Sequence, residues 1–252
     1  MKLALRAEWT KMRTVAAPLW LLLGTVAATV ALSAGATSVA NCTAGGCGGD
    51  TTRLTLTGVY LGQAPVAVLA VLIISGEYGS GTIRATLTAV PRRMTVLAAK
   101  AVALTGAVAV GGTVAVLGAV LAGRLVLPDL ADRALSPSSG PTLRAVVGTV
   151  LYLILIGLLS LGVATAVRDS ATGIGAVLGL LYIVPIVSQT VSDPGWQRLL
   201  EKIAPMSSGL AIQATTDLGS LPISPWAGLG VTAAWAAAAL VVGGLLLRTR
   251  DA

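Results

Sequence analysis

The sequence predicts an all-α membrane protein: a single domain, residues 1–252, of six spans with both termini in the cytoplasm. Three observations carry that prediction. Only 11% of the 252 residues are charged and 55% are hydrophobic, whereas soluble domains hold about 25% charged residues; the mean hydropathy is +0.88. Six continuous apolar runs, at roughly 16–37, 55–75, 95–122, 145–167, 171–191 and 226–247, reach the ~20 residues that cross a bilayer core. Nearly all charges fall between these runs. A spanning backbone must satisfy its own hydrogen bonds in lipid, which helices do, and a barrel would need short alternating strands instead.

The elements follow in order. The first run is too long for a signal peptide and lacks a small-residue cleavage pattern, so it reads as a retained span. Cys42 and Cys47 follow it in a glycine-rich outer loop. They can close a small disulfide on that oxidising side or remain two incidental thiols. The second run carries Tyr60 and Gln63, and a polar elbow at 76–94 leads to the third, where Lys100 lies near the cytoplasmic start and can snorkel to the interface. Residues 123–143 read as an exposed connection to the fourth run. The fifth holds Tyr182, Ser188 and Gln189. In segment 192–225, Trp196, Leu199, Leu200 and Ile203 share one helical face before Pro205 breaks it, which describes an interfacial hairpin on the outer leaflet.

The basic residues orient the chain. Lys2, Arg6, Lys11, Arg13, Arg84, Arg92, Arg93, Lys100, Arg168, Arg248 and Arg250 fall on the side of the N-terminus. Only Arg53, Arg124, Arg133, Arg144, Arg198 and Lys202 fall on the other. The excess marks the cytoplasmic side. It also accounts for the net charge of +7 without nucleic acid as a partner.

Several classes of chemistry are excluded. The chain has no histidine, hence no histidine base, Ser-His dyad or histidine metal ligand. A P-loop needs Gly-Lys, a dipeptide that never occurs. Gly79-Ser80-Gly81 is only a fragment of a dinucleotide fingerprint, and it follows a span rather than a strand. No Asp or Glu lies inside the six windows, so the groups that usually carry a coupling ion are missing. Energy for any transport must come from elsewhere. Tyr60, Gln63, Tyr182 and Gln189 either bond between helices or line a substrate path.

The elbow is the stretch that does not fit its surroundings. Gly79 and Gly81 permit a tight turn, and Thr82 can cap a short helix whose Ile83, Leu87 and Val90 share a face. Pro91 stops it, and Arg92 and Arg93 anchor the chain at the headgroups. Glu77 and Tyr78 then sit at the bend. An interfacial helix explains the apolar face and the arginines, but not an acid at the mouth of an apolar span.

These residues, "GEYGSGTIRATLTAVPRR", resemble the cytoplasmic elbow of ABC-2 type permeases, in particular those of actinobacterial exporters. "RAEWTKMRT", residues 6–14, is similar to the N-terminal interfacial helix of the same family. The resemblance implies that Glu77, Tyr78, Gly81, Thr82 and Arg84 form a coupling helix between spans two and three that docks on a separate ATPase. It implies that Glu8, Trp9, Lys11 and Arg13 belong to the helix bordering that subunit and lipid, and that segment 192–225 forms re-entrant helices capping the pathway. ATP and Mg2+ are then expected on the ATPase partner, with no cofactor or metal in this chain. A second permease copy, or a related permease, completes an exporter in the bacterial plasma membrane. The competing expectation is a non-transporting membrane protein with an interaction, immunity or sensory role.

Overall fold

The computed structural model describes residues 2–40, 49–82, 93–127 and 140–249, and these hold helices and turns without a strand. In chain order the helices are α1 (Lys2–Thr14), α2 (Ala16–Val39), α3 (Thr51–Thr55), α4 (Val59–Gly79), α5 (Arg93–Val126) and α6 (Gly140–Val167). They continue with α7 (Ser170–Thr190), α8 (Pro194–Ile203), α9 (Pro205–Leu210) and α10 (Pro225–Thr249). Six of them, α2, α4, α5, α6, α7 and α10, are long and apolar enough to cross a membrane.

Local chemistry places the helix ends. The Asp50 and Asp169 carboxylates accept from the Arg53 and Thr172 N–H groups at the starts of α3 and α7, and Asp193 accepts from Gly195 and Trp196 at the start of α8. Each fills a donor that a first helical turn leaves orphaned. Pro194 and Pro205 occupy first positions, where a missing N–H costs nothing. Within α7 the ladder loosens into a π-turn at Gly179–Ile183, just before Pro185. Proline cannot donate to the carbonyl four residues back, and such interruptions often take this form.

The second span differs from its predicted bounds. It begins at Val59 and continues to Gly79, four residues beyond the expected 75. Glu77 and Tyr78 therefore form its last turn rather than a bend. The chain turns at Gly81, whose φ of +70° suits glycine. The predicted helix with Ile83, Leu87 and Val90, and Arg84 with it, lies outside the described residues, as do Cys42 and Cys47. Helices α5 and α6 reach Val126 and Gly140, which shortens the connection expected at 123–143.

Helices α4, α5 and α6 form the middle of the bundle, with α2, α7 and α10 more open. α6 packs on α10, α4, α5 and α7, while α2 packs on α5 and α4 and α1 lies against α5 and α2. The buried residues of α2 are Thr25, Thr29, Ser33 and Thr37, all hydroxyls four apart on one face. That face meets glycine. A Cβ at Gly58 would fall 1.9 Å from the Thr29 carbonyl oxygen, and one at Gly62 1.9 Å from the Thr29 hydroxyl. The Gly58 N–H donates to Ser33 Oγ at 3.0 Å. On α6, a Cβ at Gly162 would lie 2.4 Å from the Ala239 carbonyl carbon of α10. Gly175 of α7, by contrast, has open space around it. Between α2 and α4 the close approach lies where a hydroxyl stripe faces glycine, a match invisible within either helix alone.

Gly58→Ala should therefore lower stability by about 1–3 kcal/mol or more through overpacking. Gly175→Ala should be neutral or slightly stabilising, because alanine is the better helix former. Thermal unfolding of both variants in one detergent checks the pair; equal midpoints would refute the packing account.

Candidate functional site

At the end of the bundle that carries α1, four charged side chains from three helices converge. Lys100 lies two turns into α5 and is wholly buried, with Glu8 of α1 and Glu77 of α4 nearly so. Lys100 Nζ donates to Glu8 Oε1 and Oε2 at 3.0 and 3.1 Å, to Glu77 Oε1 at 2.7 Å and to the Ile73 carbonyl at 3.2 Å. An ammonium has three hydrogens, so these acceptors saturate it. Lys11, half-exposed on α1, donates to the same Glu77 oxygen at 2.6 Å and stands 3.8 Å from Glu8. The cluster is neutral overall.

Neutrality makes it tolerable. A charge in an apolar interior costs several kcal/mol unless it is paired and hydrogen-bonded. Here each ion has an opposite partner on another helix, so the cluster ties α1, α4 and α5 together. Burial acts to lower the proton affinity of Lys11. The hydrogen bond to Glu77 and the charges of Glu77 and Glu8 outweigh it and hold its pKa above the ordinary lysine value. Its contribution is therefore complete below the ordinary lysine range and fades only as pH rises through the folded-state value.

The sequence expectation for Lys100 is thus corrected. It does not snorkel to the interface; two carboxylates supply the partners that headgroups and water would otherwise give. Glu77, likewise, belongs to a long apolar helix rather than lying outside it. The signal was present: Lys100 is the one charged residue within the six predicted windows, and an ionisable residue there calls for a named partner.

The remaining elbow and α1 residues surround this cluster. Trp9 packs where α1 crosses α5, 3.6 Å from the Cβ position of Gly106. The exposed Arg13 lies over the Trp9 ring, 5.8 Å from its centroid. The Tyr78 ring faces the Arg168 guanidinium at 5.3 Å. Arg168 (φ +66°) and Arg93 in turn donate to the Leu246 and Leu247 carbonyls, at 3.3 and 2.7 Å. Those carbonyls belong to the last turn of α10, which leaves acceptors unfilled and favours cations. Thr82 is exposed at the end of the described elbow, its hydroxyl 2.9 Å from that of Ser80.

At the opposite end the four candidate path residues divide. Gln63 is fully buried and occupied: Tyr152 donates to its Oε1, and its Nε2 donates to the Tyr60 carbonyl and to Met206 Sδ, both at 3.2 Å. The Tyr182 hydroxyl donates to the same Tyr60 carbonyl. These two knit α4 to α6, α7 and α9. The Tyr60 and Gln189 side chains instead line a cavity of about 370 Å3 beneath α8 and α9. Tyr152 and Asp50 were missed from the sequence. Asp50 caps α3 and also accepts from Thr215 Oγ1 at 2.7 Å and the Thr216 N–H at 3.0 Å, a pairing 165 residues distant that local pattern cannot reveal.

Six apolar helices, a buried neutral ion cluster at one end and a polar cavity at the other define a polytopic membrane protein with no catalytic constellation among its described residues. The chain matches the ABC-2 family transporter proteins over residues 51–252 and belongs to that family. It is a transporter permease, a multi-pass protein of the plasma membrane. Comparison with curated proteins gave no match. The matched region begins at α3, so Glu77 and Lys100 fall inside it and Glu8 and Lys11 outside.

Removing Lys100 leaves two buried carboxylates sharing the one remaining cation, Lys11. Lys100→Met should destabilise the protein by about 3–5 kcal/mol, the usual cost of orphaning a buried charge. Adding Glu8→Gln to Lys100→Met should recover part of that loss by restoring neutrality. Unfolding midpoints of the single and double variants measure both effects; a double variant worse than the single would contradict the pairing scheme.

Proposed function

We propose that this chain is the membrane subunit of an ATP-driven exporter, with the α1 end in the cytoplasm and ATP hydrolysed, with Mg2+, on a separate ATPase subunit. The observation that supports this reading most is the position of Glu77. It ends span α4 immediately before the elbow, and Lys100 and Lys11 bind it from α5 and α1. A partner pressing on residues 77–84 would meet three helices joined as one body rather than a loose loop. Tyr78 and Arg168 extend that body to the end of α10.

In this reading Gly81 provides the turn, Thr82 and Arg84 present the elbow to the ATPase, and Trp9 and Arg13 hold α1 at the lipid boundary. Helices α8 and α9 would form the re-entrant outer cap: Trp196, Leu199 and Ile203 of α8 are exposed and available to lipid, while α9 is buried and packs against α10. Two copies of the chain, or one with a related permease, enclose a pathway for a hydrophobic or amphipathic substrate. The positive-inside excess of basic residues supports the orientation.

Two measurements test the proposal. Purification from native membranes in mild detergent should yield a stoichiometric ATPase with ATP hydrolysis, lost when residues 77–84 are disrupted. Glu77→Ala should abolish transport with little effect on insertion, because Lys100 keeps Glu8 as a partner. A clean preparation without ATPase after crosslinking, or unimpaired transport by Glu77→Ala, would overturn the coupling role.

A further inference from the structure

The cavity of about 370 Å3 beneath α8 and α9 has walls from five helices: Arg53 of α3, Tyr60 of α4, Gln189 of α7, Glu201 of α8 and Met206 of α9 line it. Two of these carry opposite charges. Neither Arg53 nor Glu201 forms an ion pair among the described residues, whose four ion pairs all lie in the cluster at the other end. Arg198 and Lys202, the neighbours of Glu201 on α8, do not reach it within ion-pair distance.

Both charges stand on anchored supports. Arg53 rides on the short helix that Asp50 caps, and the same carboxylate binds Thr215 and Thr216, just before the segment that closes the cavity with Leu221, Pro222 and Ile223. Glu201 rides on α8, whose start is capped by Asp193 and whose last carbonyl, that of Ile203, accepts from Trp235 Nε1 at 2.8 Å. Between the charges the wall is mixed, with Met206, Pro185 and Ile223 beside Gln189 and Tyr60.

We propose that this cavity binds a small zwitterion with an apolar body, a free carboxylate meeting Arg53 and a free ammonium meeting Glu201. A ligand of one sign would leave the other cavity charge unpaired on desolvation, which selects against it. The volume falls in the range of small-ligand sites and accommodates a short apolar peptide. This inference rests on the cavity of a single chain and is independent of ATPase coupling, so it stands or falls separately from the exporter reading.

The test uses the purified full-length chain in nanodiscs, without ATPase, and trileucine as the probe in calorimetric titration. Trileucine should bind, and its N-acetyl form, lacking the ammonium, and its C-terminal amide, lacking the carboxylate, should each bind about tenfold more weakly. Arg53→Gln should weaken trileucine about tenfold yet leave the amide unchanged, and Glu201→Gln should do the same with the acetylated form unchanged. The blocked peptides on the unmodified chain keep the test decisive even if a variant folds poorly. Absence of trileucine binding, equal binding of free and blocked peptides, or identical losses for both blocked forms in each variant would overturn the proposal.

Discussion

Lys100 constrains the rest of this bundle. A wholly buried ammonium in an apolar helix has to be met by carboxylates, and the two it finds come from helices that apolar packing alone would not bring into register. Glu8 must arrive from α1, so α1 is pinned across α5 instead of floating at the membrane surface. Glu77 must arrive from α4, so that helix has to continue past its apolar stretch with enough rigidity to deliver the acid. Lys11 then balances the count. Ion clusters of this kind add little to net stability compared with well-packed apolar residues, but they are intolerant of rearrangement, because moving any one helix exposes an unpaired charge. What the cluster supplies is fixed geometry at the place where the elbow leaves the bundle.

The apolar interfaces work differently. Lipid gives spans no hydrophobic reason to associate, so close contact and hydrogen bonds have to do it. The α2–α4 seam shows both, with Thr29 and Ser33 against Gly58 and Gly62 and a backbone N–H donated to a hydroxyl. The α6–α10 seam at Gly162 uses close approach alone. At the end opposite the ion cluster, hydrogen bonds predominate: Gln63 draws together Tyr152, the Tyr60 carbonyl and Met206, while Tyr182 joins from the π-turn of α7.

Much of this architecture was legible in the sequence, since long apolar runs and their flanking charges depend only on local composition. The spans emerge within a few residues of where hydropathy puts them, and the amphipathic face of α8 was readable from Trp196 to Ile203. What escaped was pairing at a distance. Glu8 and Lys100 are 92 residues apart and Asp50 and Thr215 are 165 apart, and nothing in either local pattern names the other. Glu77 was singled out, but its helix was ended too early, because serine and glycine at 75 and 76 resemble a terminus when the stabilising partner is unseen. The glycine contacts were hidden for the same reason: a glycine marks an interface only if something on another helix fills the space beside it.

Helix α4 is the element that both ends share. Glu77 closes it at the ion cluster, and Gln63 lies in the hydrogen-bond network near its start, about 21 Å away at 1.5 Å per residue from position 63 to 77, with Tyr60 lining the cavity beyond. Between them the helix is buried against α2, α6 and α7. Pro65 is the one interior position without a donor, so the Leu61 carbonyl has no ladder partner just below the Gln63 network. From its charged base the helix runs without another proline as far as Pro65. There one ladder bond is missing, and the first turn of α4 is held by Tyr152, Met206 and Tyr182 instead. The polar residues concentrate beside the proline because that turn must be fixed by side chains where the backbone no longer fixes it.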